Sequence, residues 1–92
     1  MPVETIPDTL PHSDEAERSV IGAVLVDNQQ FHGVQEILTH EAFYSGRHRK
    51  IFLALERLTE HGSPLDLITL RADLERSGDL ESCGGPAYLA RL

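Results

Sequence analysis

One cysteine, one lysine and no apolar run longer than Ile51–Leu55 are what this chain has least of. Each scarcity removes a class of protein. Cys83 alone forms no intramolecular disulfide and builds no cysteine-based zinc site, and a lone thiol suits a reducing compartment. Lys50 stands between Arg49 and Ile51, so the chain has no G-x-x-x-x-G-K-[ST] loop, whose backbone amides and lysine hold nucleotide phosphates. A membrane span needs about 18–20 consecutive apolar residues, and no charged segment followed by an apolar stretch opens the chain as a secretion signal. Basic residues are scarce as well: eight Lys and Arg face fifteen Asp and Glu, for a net charge of −7. Arg18 is the only base in residues 1–45, whereas residues 46–92 are balanced. A nucleic-acid groove needs a cationic surface to release counterions, so strand binding is not the expected main role. The composition describes an acidic domain of the cytoplasm with no membrane partner.

At 92 residues, 40% of them hydrophobic and 25% charged, the chain is one small globular unit with a single core. Residues 1–12 carry three of the five prolines and predict an extended, flexible leader. Residues 13–92 form the helical domain. Ser13 and Asp14 cap a first helix whose Ala16, Val20, Ala23, Val24 and Asp27 fall at spacings of three and four. Gly22 inside it is either merely tolerated or admits another helix at close range. Asp27–Asn28 signals a turn before Phe31, Val34, Ile37 and Leu38 on one face. Thr39 to Tyr44 makes a short helical turn presenting Phe43 and Tyr44.

Arg47 to His61 is the clearest helix, with His48, Ile51, Phe52, Leu55, Leu58 and Thr59 on its apolar stripe. Gly62 stops it and Pro64 follows. Asp66 caps a fourth helix carrying Leu67, Leu70, Asp73 and Leu74, which Gly78 ends. Residues 79–85 are a loop. Gly85–Pro86 opens a last helix, expected to run on to Leu92 and be cut there, as if the chain were the start of something longer. No segment alternates with the period of a strand. The expected fold is all-α, a compact orthogonal bundle of about five short helices behind an extended leader.

The search for chemistry returns little. His12, His32, His40, His48 and His61 contain no i, i+4 pair, and His40–Glu41 would need a second histidine where Tyr44 stands, so no metal site is expected. Cys83 is an incidental free thiol, made slightly more acidic by the helix start that follows it. Asp73 and Glu75 belong to a solvated helix face. No catalytic residue is expected. Arg47, Arg49 and Lys50, with His48 among them, are the one basic cluster and a possible anion contact, although 49 points away from 47 and 50.

Four stretches, PHSDEAERSVIGAVLVDN (11–28), AFYSGRHRKIF (42–52), GSPLDLITL (62–70) and SGDLESCGGPAYLARL (77–92), resemble in order and spacing the N-terminal domain of the DnaB-type bacterial replicative DNA helicases. The resemblance implies a non-catalytic collar domain of a hexameric, ATP-driven helicase that unwinds duplex DNA in replication. ATP and Mg, and the DNA, would then belong to a downstream motor absent from this sequence. It also implies assembly with other helicase subunits as a trimer of dimers, and docking of primase. The docking segment carried over is Asp79 to Tyr88, an acidic loop and a G-G-x-x-Y-L element, here Gly84-Gly85-Pro86-Ala87-Tyr88-Leu89. Tyr88 is its central contact, with Asp79, Glu81 and Ser82 as polar neighbours. A tyrosine there either supplies rigid contact area or packs into its own core beside Leu89. Cys83 and Pro86 depart from the family pattern. Two other functions compete: single-stranded DNA binding by residues 47–50 with Tyr44, and a free-standing helicase-like adaptor such as a loader or phage decoy.

Overall fold

The computed structural model describes residues 13–92, and the expected leader at 1–12 lies outside the described residues. Five helices and two 3-10 turns follow one another with no strand among them: α1 (Asp14–Val26), α2 (Gln30–Ile37), a turn at His40–Ala42, α3 (Gly46–Glu60), α4 (Leu67–Ser77), a turn at Glu81–Cys83, and α5 (Gly85–Leu89). The all-α expectation holds. No helix among the described residues is long and apolar enough to cross a membrane.

Local chemistry sets most boundaries. The Ser13 hydroxyl accepts from the Ala16 amide at 3.0 Å, a cap of about 1 kcal/mol. Asp66 and Thr69 form a reciprocal capping box at the start of α4, where Asp66 accepts the Thr69 amide and the Thr69 hydroxyl accepts the Asp66 amide. Gly78 ends α4 at φ 81°, the left-handed conformation that side chains resist. The last helix is shorter than expected: α5 closes at Leu89, and the chain then turns so that the carbonyl carbon of Leu92 reaches α1. A methyl group on Gly22 would stand 3.4 Å from it, so the close approach at Gly22 is by a backbone turn rather than a helix.

α3 is the central rod. Ile51, Phe52, Ala54 and Leu55 are fully buried on it, and Phe52 lies 5.3 Å from the ring of Phe31 and 4.9 Å from that of Phe43. One side chain thus joins α3 to α2 and to the segment after the first 3-10 turn.

Two apolar faces differ from the spacing-based expectation. In α1, Ile21 and Val24 are buried whereas Ala16 and Ala23 are exposed, so the inward stripe is rotated toward Glu17, Val20, Ile21 and Val24. In α2, Ile37 is 82% exposed because the helix ends there and leaves Phe31 to fill the core. Of the two aromatics expected from 39–44, Phe43 is buried and Tyr44 is exposed.

Asp73 overturns its expected place on a solvated face. It is 2% exposed, and both carboxylate oxygens are occupied. Arg57 donates through Nε (3.0 Å) and a terminal nitrogen (2.6 Å) to one oxygen, and Arg76 donates to the other at 2.6 Å. A buried carboxylate survives only when paired in this way. Asn28 ties a second distant pair of segments, donating to the carbonyls of Val24 and Leu65 and accepting the Leu65 amide.

Candidate docking site

The loop after α4 and the first two turns of α3 come together at one end of the molecule. Gly84 and Gly85 make this possible. Both hold positive φ, 100° and 74°, and a methyl group on Gly84 would sit 2.6 Å from the Tyr88 Cβ. The pair folds α5 back so that the Tyr88 ring lies over the start of α3.

Tyr88 is 7% exposed, so of the two placements open to it the fold takes the core. Its ring stacks on His48 at 5.9 Å, and its hydroxyl meets His48 Nε2 at 2.5 Å. On the far side of the imidazole, Nδ1 lies 2.7 Å from Glu17 Oε1. A carboxylate can only accept, so Nδ1 carries a proton, and Nε2 shares one with the tyrosine hydroxyl. Glu17 also accepts the backbone amides of Tyr44 (2.6 Å) and Ser45 (3.3 Å), just before α3. One chain of hydrogen bonds therefore runs from α1 through a fully buried histidine of α3 to α5.

The basic cluster divides as its spacing suggested. The Arg47 guanidinium lies 4.3 Å above the Tyr88 ring, a cation–π contact. The Lys50 ammonium donates to the Ser82 hydroxyl at 2.9 Å and stands 3.9 Å from an Asp79 carboxylate oxygen. Arg49 turns away and donates to the Phe43 carbonyl at 2.6 Å. Arg47 and Lys50 thus join Asp79, Ser82 and Tyr88 in one cluster, and Arg49 does not. Glu81 and Ser82 are exposed and Asp79 is half-buried.

Cys83 corrects the expected acidic thiol. It is fully buried, and that burial raises its pKa; the charges of Lys50 and Arg47 pull the other way without prevailing. Its weak S–H donor faces the Arg47 carbonyl at 3.7 Å.

Glu17 and His48 escaped sequence reasoning as a pair. His48 was visible on an apolar stripe, a signal that a buried imidazole needs partners, but nothing local pointed to Glu17. Asp14, Glu17 and His48 each place one potential metal-ligand atom within 4.8 Å of the others. The Glu17 oxygens there already accept N–H donors, and the positive ends of α1 and α3 meet beside them. A cation would displace this set, and the arrangement fits a hydrogen-bonded brace better than a metal centre.

Burial works to raise the Glu17 pKa, but the hydrogen bonds from His48, Tyr44 and Ser45 and the histidine's charge outweigh it, so the carboxyl is held below its ordinary value. Because the folded value is depressed, the contribution to stability is present above the ordinary glutamate range and is lost as pH falls through and below it. Thermal melts between about pH 7 and pH 3 check this. The stability gap between wild type and Glu17→Gln is expected to be widest near neutrality and to shrink on acidification; a constant gap would show that the charge contributes nothing.

Comparison with known proteins decides the family. The family model described as the DnaB-like helicase N terminal domain matches residues 9–92. The chain belongs to that family. Among relatives of this DnaB N-terminal domain, the replicative DNA helicase DnaB of Buchnera aphidicola subsp. Acyrthosiphon pisum is 48% identical over 82 residues, 89% of this chain and 18% of that protein. DnaB of Haemophilus influenzae is 44% identical over the same shares. The chain thus spans under a fifth of the length of these relatives. The crystal structure of the N-terminal domain of DnaB helicase from Mycobacterium tuberculosis superimposes with a TM-score of 0.85 at 34% identity, covering 88% of this chain and 58% of that one.

Proposed function

We propose that this DnaB N-terminal domain works without catalysis, as a docking and assembly head for a replicative helicase that unwinds duplex DNA, and that its docking partner is primase. The observation that carries the reading is the braced end of the molecule. Tyr88 is locked by His48 and Arg47, and the exposed Glu81 and Ser82 stand on the loop it supports, with Lys50 pinning Ser82. A surface that recognises a protein gains affinity when its loops are ordered before binding. In this proposal Tyr88 acts by holding the loop in shape, and Asp79, Glu81 and Ser82 make the contact.

Assembly is the second half of the proposal. Val26, Ile37 and Ile68 are each more than four-fifths exposed, apolar side chains suited to contacts with neighbouring helicase subunits, a hexamer in the family resemblance. The motor's ATP and Mg belong to another part of the parent protein. The residues present do not fit a nucleotide: the sole lysine is engaged by Ser82 and Asp79, and no phosphate loop exists in the sequence. Single-stranded DNA binding by residues 47–50 is disfavoured for the same reason, since Arg47, Arg49 and Lys50 each have an internal partner. The cytoplasm is the proposed compartment.

The test is a charge reversal on the full-length helicase. Glu81→Arg combined with Ser82→Arg is expected to weaken primase binding by at least about tenfold, equivalent to about 1.4 kcal/mol, with the fold unchanged by circular dichroism. Unaltered binding would remove the loop from the interface.

A further inference from the structure

A second built polar feature lies toward the other end of α3, outside the docking cluster. The hollow between α3 and α4 is lined by Arg57, Leu58, His61, Ser63, Asp73, Arg76 and Ser77. Within the lining two guanidinium groups face one carboxylate, Asp73, with Asp79 at the edge beside Ser77, in a chain whose net charge is −7.

The arginines are oriented as well as charged. Arg57 spends Nε and one terminal nitrogen on Asp73, and Arg76 spends one terminal nitrogen, which leaves N–H groups of both forks uncommitted to it. Asp73, buried at their base, fixes where those donors stand. His61 is held in place through Nδ1, 2.7 Å from the Arg57 carbonyl, and leaves Nε2 without that tie. The one proton of the Ser77 hydroxyl is shared between the Leu74 carbonyl (3.2 Å) and an Asp79 carboxylate oxygen (3.0 Å) at the edge.

We propose that this hollow binds a single oxyanion of the phosphate class, held by the remaining donors of Arg57 and Arg76 with Ser63 at the rim. Planar guanidinium forks match tetrahedral oxyanions two donors at a time, and forks fixed in advance lose little freedom on binding. The ligand is a small anion or a single phosphomonoester rather than a nucleic-acid strand. A strand needs a continuous cationic track with aromatic platforms, and no Phe, Tyr or Trp lines this hollow.

The test is a titration of the isotope-labelled protein with inorganic phosphate at low ionic strength, followed by NMR and compared with chloride at matched ionic strength. Saturable shifts are expected at His61, Ser63 and Ser77 and at the side-chain N–H groups of Arg57 and Arg76. Arg76→Gln should weaken them by at least about tenfold. That variant is expected to fold, since Arg57 still pairs with Asp73; its helical circular dichroism checks this. Arg71→Gln, which alters a guanidinium paired with Glu75 outside the hollow, should bind as wild type does. Competition by O-phosphoserine would support a phosphomonoester, and its exclusion would support the free ion. Shifts that follow ionic strength alone, retained phosphate binding in Arg76→Gln, or an oligonucleotide that competes far more strongly than phosphate would each overturn the proposal.

Discussion

Replacing Phe52 by alanine is expected to cost about 3–5 kcal/mol of unfolding free energy. The ring is fully buried and lies in contact range of Phe31 and Phe43, so its loss empties the place where three segments meet. Aromatic rings in tilted pairs at these separations add to what area burial supplies. For a chain of this length the whole stability is about 5–14 kcal/mol, at roughly 0.05–0.15 kcal/mol per residue. The variant should thus lie near the edge of folding. Urea denaturation followed by circular dichroism measures the change, and Phe52→Leu, which refills part of the space, should lose less than half as much. Equal losses for the two variants would mean that the ring pairs carry the energy and the cavity does not.

Arg57→Ala is expected to be as damaging, at about 3–5 kcal/mol, for an electrostatic reason. It removes two of the three hydrogen bonds to Asp73 and leaves a carboxylate in the interior with Arg76 as its remaining side-chain partner. The cost is that of a buried carboxylate left with one oxygen unpaired, which exceeds what the intact pair contributes. Exchanging both partners for apolar side chains, Arg57→Met with Asp73→Leu, is therefore expected to recover most of the loss. A double variant no more stable than Arg57→Ala would show that the ion pair itself holds α3 to α4.

These two sites show what was legible beforehand. The apolar stripe of α3, the stops at Gly62 and Gly78, the cap at Asp66 and the proline near the start of α5 are local signals, and the structure contains each of them. Asp73 was not legible. A carboxylate looks solvated until a guanidinium sixteen residues away arrives to pair with it. Ile21 was missed because the spacing of α1 admits two nearby stripes, and only the neighbouring helices select one.

The candidate docking site divides along the same line. Asp79, Glu81, Ser82 and Tyr88 could be named from the order of motifs. The brace behind them links Glu17 to His48 across 31 positions and His48 to Tyr88 across 40, distances over which no sequence period operates. Burial of Cys83 likewise depends on the start of α3 packing over its loop, and that packing reverses the pKa shift expected from the adjacent helix end alone.

An NMR map of primase bound to the isotope-labelled helicase head tests the central claim most directly. The largest shifts are predicted for the amides of Asp79, Glu81, Ser82 and Ala87 and for the Lys50 side chain, all around the tyrosine-braced loop. Shifts gathered instead on the exposed face of α1 and α2, or no complex with primase at all, would contradict it.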